Sequence, residues 1–215
     1  MKNLLVKEIR LSSHILTYLF LAFTAMTFIP GYPILVSAFF ICFGIFQTFQ
    51  NGRETNDVLY TVLLPAEKRD AVKARFAFVC VIQLAAFALF SIFTALRMTL
   101  LGGAAPYTEN PMMNSNPVFL AFILIVFAEF NALFVGPFYK TAYKFGRPFI
   151  AFITVSMITV GVAEALHHIP GLGFLNTAEK LPIQFAALFV SAALYAALTA
   201  ASCVKAQRRF DSLDL

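Results

Sequence analysis

Charge is what this sequence has least of. Asp, Glu, Lys and Arg make up 13% of its 215 residues and apolar side chains 60%, with a mean hydropathy of +0.80. Soluble domains carry about a quarter charged residues, so a water-dissolved fold is excluded and a lipid-embedded one follows. Tryptophan is absent, so an interfacial aromatic belt must be built from the 7 Tyr and 26 Phe. The 3 cysteines, Cys42, Cys80 and Cys203, fall in or at the ends of apolar runs and never at C-x-x-C spacing. Buried free thiols are expected there, not a disulfide or a metal site. No G-x-x-x-x-G-K-[ST] phosphate loop occurs, so the chain has no such nucleotide cradle of its own. Lys2, Lys7, Glu8 and Arg10 precede the first apolar run, and no small-x-small cleavage site follows it before the second. The first helix is therefore expected to persist in the mature protein. The net charge of +5 is scattered in short stretches between apolar runs, which argues against nucleic acid as a partner.

What is present is a series of apolar runs. A helix needs about 20 mainly apolar residues to cross roughly 30 Å of hydrocarbon. Six runs approach this, at about 15–29, 33–49, 76–96, 117–137, 149–166 and 182–204, and predict an all-α, polytopic membrane protein with one domain over 1–215. Pro30-Gly31 makes the first two a tight hairpin, and Gly102, Gly103, Pro106, Asn110 and Pro111 mark a longer loop after the third. With six spans, 14 of the 16 Lys and Arg fall on one side, leaving Arg97 and Lys180 on the other. Basic residues accumulate on the cytoplasmic side, so both termini are expected there. Leu4, Leu5 and Ile9 share one side of a helix, with Lys2, Lys7 and Arg10 mostly on the rest, which predicts an N-terminal helix lying in the headgroup plane.

The longest inner loop, Asn51 to Arg75, reads NGRETNDVLYTVLLPAEKRDAVKAR. Glu54 and Asp57 precede Val58, Leu59, Val62, Leu63 and Leu64, the spacing of a short amphipathic helix with acidic residues at its positive N-terminal end. Pro65 suits the first turn of a second helix, with Glu67 and Asp70 in its early turns, continuing through Lys73 and Arg75 into the third span. A helix held between two spans can dock into a groove on a soluble partner, or simply rest on the bilayer.

The opening MKNLLVKEIRL, the stretch ETNDVLYTVLLP and the following AEKRDAVKARF resemble the small permease subunits of type-2 ATP-binding-cassette (ABC) exporters. Leu64 and Pro65, then Lys68 and Arg69, match the leucine-proline pair and basic residue that such members carry between helices 2 and 3. Ala66-Glu67 stands where the family commonly has a small polar residue after the proline. The resemblance implies a bacterial cytoplasmic-membrane half-transporter. Two six-helix permeases, identical or different, would form the pathway, and two separate ATPase subunits would bind ATP and Mg below. The coupling residues would then be Glu54, Asp57, Leu59, Leu63, Leu64, Pro65, Lys68 and Arg69. It also implies that short outer helices close the exit, making Phe174 and Leu175 gate candidates. The chain itself would carry no cofactor and no catalysis.

Polar residues inside the runs remain open to two readings. Glu129 and Asn131 lie in the fourth run, where an ionised carboxylate costs on the order of 3 kcal/mol unless paired or neutral. Either they line a substrate path with Gln83, or Glu129 is a hydrogen-bonded packing residue with Gln83 as its partner. Glu164, His167 and His168 share the end of the fifth run, but the order E-x-x-H-H is not that of the zinc hydrolase motifs, and no further ligand is assignable. Asn176-Thr177-Ala178-Glu179 has the form of a helix N-cap with Glu three positions on. The alternatives to a permease are an intramembrane enzyme using Glu129 or the Glu164 and His167 pair, and a noncatalytic scaffold or sensor subunit.

Overall fold

A computed structural model describes residues 2–63, 65–141 and 144–213, which are helical with no strand. The helices are α1 (Asn3–Ser12), α2 (Ile15–Phe28), α3 (Val36–Glu54), α4 (Asp57–Leu63), α5 (Lys68–Leu101), α6 (Ala105–Thr108), α7 (Pro117–Phe138), α8 (Gly146–Leu166) and α9 (Leu181–Asp211). A 3-10 turn, Gly173–Asn176, lies between α8 and α9.

Four of these helices, α5, α7, α8 and α9, are long and apolar enough to cross a membrane. A fifth arises if α1 and α2, bent by 91° at their junction, are taken as one segment. The predicted third to sixth runs all lie within helices, several longer than expected at their ends. The first two runs are less regular. After Leu19 α2 winds as a 3-10 helix from Phe20 to Phe28, and the Thr24 and Thr27 hydroxyls donate at 2.7 Å to carbonyls three residues back. At about 2.0 Å per 3-10 residue and 1.5 Å per α residue, its 14 residues reach roughly 25 Å. α3 begins three residues later than its apolar run, and its end from Gln47 onward carries Gln47, Gln50, Asn51, Arg53 and Glu54, which dilute its apolarity.

α7 is the central helix. Of its most apolar stretch 72% is buried, against 11% for α9, which packs on it but turns most of its surface outward. Asn116 starts α7 by accepting from Phe119 N at 3.0 Å, with Pro117 at the first helical position. Near its other end α7 widens into a π turn, Asn131–Val135. Pro137 supplies a reason: its ring would clash with the carbonyl four residues back in a regular helix, and the wider turn relieves this. The abundant phenylalanines join α3, α7 and α8, with Phe46 stacked on Phe149 at 3.8 Å and Phe49 and Phe130 edge-on or stacked against Phe134. Cys42 is buried in this core, and Cys80 and Cys203 are half-buried; all three are free.

Candidate functional site

The richest concentration of charge lies where α1, α4 and the start of α5 meet. The side of α1 bearing Lys7, Glu8 and Ser12 turns toward the protein, while Val6, Ile9 and Leu11 are exposed. The expected apolar side of Leu4, Leu5 and Ile9 is thereby divided: Leu4 and Leu5 are half-buried, and Ile9 is exposed. Lys7 Nζ lies 2.5 Å from Asp57 Oδ1 and 3.3 Å from Glu8 Oε1, and donates to Thr61 Oγ1 at 2.7 Å. Arg75 reaches both acids, with Nε 2.6 Å from Glu8 Oε2 and a terminal nitrogen 2.5 Å from Asp57 Oδ2. Ser12 adds a hydrogen bond to Asp57 at 3.1 Å, and the Arg75 guanidinium lies over the Phe49 ring. Two cations thus alternate with two carboxylates, and the Glu8 and Arg75 side chains are only 3% and 6% exposed. Burial pushes the Asp57 carboxyl up, but the Arg75 charge and the hydrogen bond and charge of Lys7 outweigh it, holding the group below its ordinary value.

This network fixes the orientation of α4. Asp57, Val58, Thr61 and Val62 face the protein, whereas Leu59, Tyr60 and Leu63 are exposed, the last two at 65% and 73%. The helix starts later than the sequence suggests. Glu54 is exposed in the last turn of α3, and Asn56 takes a left-handed conformation (φ 54°) that breaks the chain before Asp57. Glu54 is therefore not part of α4. Pro65 is also displaced: it lies in a bend, Glu67 is the N-cap of α5, and Asp70 falls in the first turn. The expected site residue Leu64 lies outside the described residues. Lys68 and Arg69 meet the other end of the chain, Lys68 donating to Leu213 O at 2.6 Å and Arg69 pairing with Asp211. Sequence reasoning missed Lys7, Glu8, Ser12, Thr61 and Arg75 as members of one site. The one signal was Glu8, an acid in an otherwise basic N-terminal stretch.

Deeper along α5, Gln83 and Asn131 are fully buried and bond each other through both amide groups, at 3.1 and 2.9 Å. From α9, Tyr195 OH donates to Gln83 Oε1 at 2.9 Å, Thr199 Oγ1 accepts from Asn131 at 2.9 Å, and Ser202 Oγ donates to the Asn131 carbonyl at 2.7 Å. Glu129 does not pair with Gln83, as the packing reading supposed. It projects to the α8 side of α7, where Thr159 donates to it at 2.5 Å, and its Oε2 is buried without a hydrogen-bond partner among the described residues.

At the far end of the bundle, Glu164 accepts from Met113 N at 2.7 Å and His167 meets Pro111 O at 3.2 Å. Both thus tie the loop before α7 to α8. Asn176 starts no helix: it closes the 3-10 turn and accepts from Asn114 N at 2.5 Å. Phe174 and Leu175 are half-buried in that turn, Phe174 under the Lys180 ammonium at 4.6 Å. The buried Gln184 amide gathers the carbonyls of Phe174, Thr177 and Glu179 at 2.8–2.9 Å.

Compared with known proteins, residues 3–210 match the family described as ABC-2 family transporter protein. No curated protein and no solved structure matches the chain. The family match runs from α1 through α9, so it takes in the charged network, the central α7 and the whole helical bundle. Proteins of this kind are membrane components of ABC transporters that work with ATPase subunits. On that match and on its apolar helices, the chain belongs to the ABC-2 family of transporter proteins.

Proposed function

We propose that the protein is the permease subunit of a bacterial ATP-driven exporter, and that α4 is the element through which separate ATPase subunits move it. The observation that carries this is the two-sided character of α4. One side is held to α1 and α5 by buried ion pairs, and the other offers Leu59, Tyr60 and Leu63 to the outside. An exposed apolar side on a short, firmly anchored helix suits a groove on a soluble partner. A push on that side passes through Asp57 to Arg75 and hence to α5, and through Lys7 to α1. ATP and Mg would be bound by the partner, and two such permeases, identical or paired with a different one, would complete the assembly.

The six-span arrangement fits this reading. α2 compensates for its short sequence by 3-10 winding, and α3 pairs with it closely: Gly44 lies so near Phe20 that a Cβ there would meet the ring at 2.7 Å. With α2, α3, α5, α7, α8 and α9 crossing, α1 lies at a right angle to α2, in the plane of the cytoplasmic headgroups, with Val6, Ile9 and Leu11 toward lipid. Both termini are then cytoplasmic, and the turn holding Phe174 and Leu175 lies at the exit.

Leu63→Asp is expected to reduce capture of the ATPase subunit by at least about tenfold in a detergent pull-down, the scale of one buried anchor in an interface. The melting temperature of the permease alone should not move, because Leu63 touches little of its own chain. Undiminished capture with undiminished transport would remove α4 as the coupling element. Of Gln83, Glu129 and Asn131, Glu129 is the pathway candidate, since Gln83 and Asn131 are occupied with each other. Transport by Glu129→Gln should fall several-fold with the fold intact; full activity would show that its charge is dispensable.

A further inference from the structure

The two buried arginines of α5 live in opposite surroundings. Arg75 has two carboxylates. Arg97, at the far end of the same helix, is 2% exposed, and among the described residues no carboxylate lies within 4.0 Å of it. Its guanidinium is held by neutral groups only. One terminal nitrogen donates to Thr27 O, the other to Asn114 Oδ1 at 2.8 Å, and the group lies over the Tyr107 ring at 4.5 Å. A charge buried near the membrane without a counter-charge is costly, and such residues mark ligand or ion sites.

Arg97 also lines a cavity of about 310 Å³, together with Tyr107, Asn114, Ser115, Asn176 and Thr177. That is roughly ten times the share of one water molecule in the liquid, enough for an organic anion. The walls are rich in neutral hydroxyl and amide groups, while Met98 and Ala178 supply an apolar side. The chain around it is braced: Asn114 is fixed by Asn110, Tyr107 O and Asn176, and Asn116 donates to Leu175 O at 2.6 Å. Arginine presents a planar fork suited to phosphate oxygens, and among the described residues its charge is the only one in the cavity wall. Beside the site α5 turns Leu96 and Leu100 outward, an apolar surface on which an acyl chain can lie.

We infer that this cavity binds the phosphate group of an anionic amphiphile, with Arg97 as its counter-charge. This stands apart from the coupling role of α4, which lies at the opposite end of α5. The test uses the full chain purified in a neutral detergent and stripped of lipid, with binding read by native mass spectrometry and by thermal shift. The probes are a short-chain phosphatidylglycerol, inorganic phosphate and an uncharged diacylglycerol. Arg97→Gln removes the charge but also two intramolecular hydrogen bonds. Ala178→Asp is the second variant: it adds a competing carboxylate at an exposed wall position and removes no bond. Phosphatidylglycerol should raise the melting temperature and diacylglycerol should not, and Ala178→Asp should weaken the former by about tenfold or more. If inorganic phosphate binds as well as the lipid and is equally sensitive to Ala178→Asp, the phosphate site stands and its ligand is a free anion. Equal binding of the charged and uncharged lipids, no binding of any probe, or affinities unmoved by Ala178→Asp would overturn it.

Discussion

Arg75→Met is expected to destabilise the folded chain by about 3–5 kcal/mol, the range for a buried charge network that loses one partner. Glu8 and Asp57 would then face each other and the apolar base of the bundle with only Lys7 between them. The loss reflects carboxylates left unbalanced more than the strength of the pairs themselves. Thermal unfolding in detergent, followed by the reactivity of the buried Cys42 thiol, measures it. Arg69→Met is the control, because its pair with Asp211 is exposed and its removal should change little. The acid side is testable through Asp57→Asn. Because the Asp57 carboxyl is held below its ordinary value, its ionised form stabilises the fold above the unfolded-state value of about 3.9, and that contribution is lost as pH falls through the lower folded value. The difference in stability between the wild type and Asp57→Asn should therefore be full at neutral pH and shrink below about pH 4. A difference that is constant from neutral to acid would show that Asp57 is not ionised in the network.

Gly136→Leu is expected to cost about 3 kcal/mol, the upper range for overpacking a tight contact. A Cβ at this position would lie 2.1 Å from Ser202 Oγ, so α7 and α9 meet here with room only for hydrogen. Such small-residue contacts bring membrane helices close. Even Gly136→Ala forces the Ser202 hydroxyl away from the Asn131 carbonyl, which the π turn leaves available to it at 2.7 Å. Ser202→Gly in the Gly136→Ala background should restore most of the lost stability, since the nearest other atom to the new Cβ, the Asn131 carbonyl oxygen, is 3.4 Å away. Failure of that rescue in equilibrium unfolding would place the clash elsewhere in the bundle.

The positions of the helices were largely legible without coordinates. The apolar stretches of α5, α7, α8 and α9 are long enough to be read from composition alone. The ends were less so: α9 continues to Asp211, seven residues past its apolar run, with Ala206 and Phe210 buried against the bundle and Asp211 paired with Arg69. In the site, Asp57 and Leu63 were legible because amphipathic spacing is a local property. Their setting was not. Glu54 looks like a first-turn acid of α4 until the left-handed Asn56 separates them.

By itself the sequence determined that this is a lipid-embedded helical bundle, which stretches are helical, and which short stretch between two of them has an apolar side to offer. These follow from hydropathy and local backbone chemistry, which act over neighbouring residues. Only the tertiary structure decided which charges meet: that Lys7, 50 positions before its acid partner Asp57, turns inward, that Gln83 takes Asn131 and not Glu129, and that Arg75 is neutralised where Arg97 is not. Pairing depends on which faces of α1, α5, α7 and α9 come together, and helix packing sets that, not the spacing of residues along the chain.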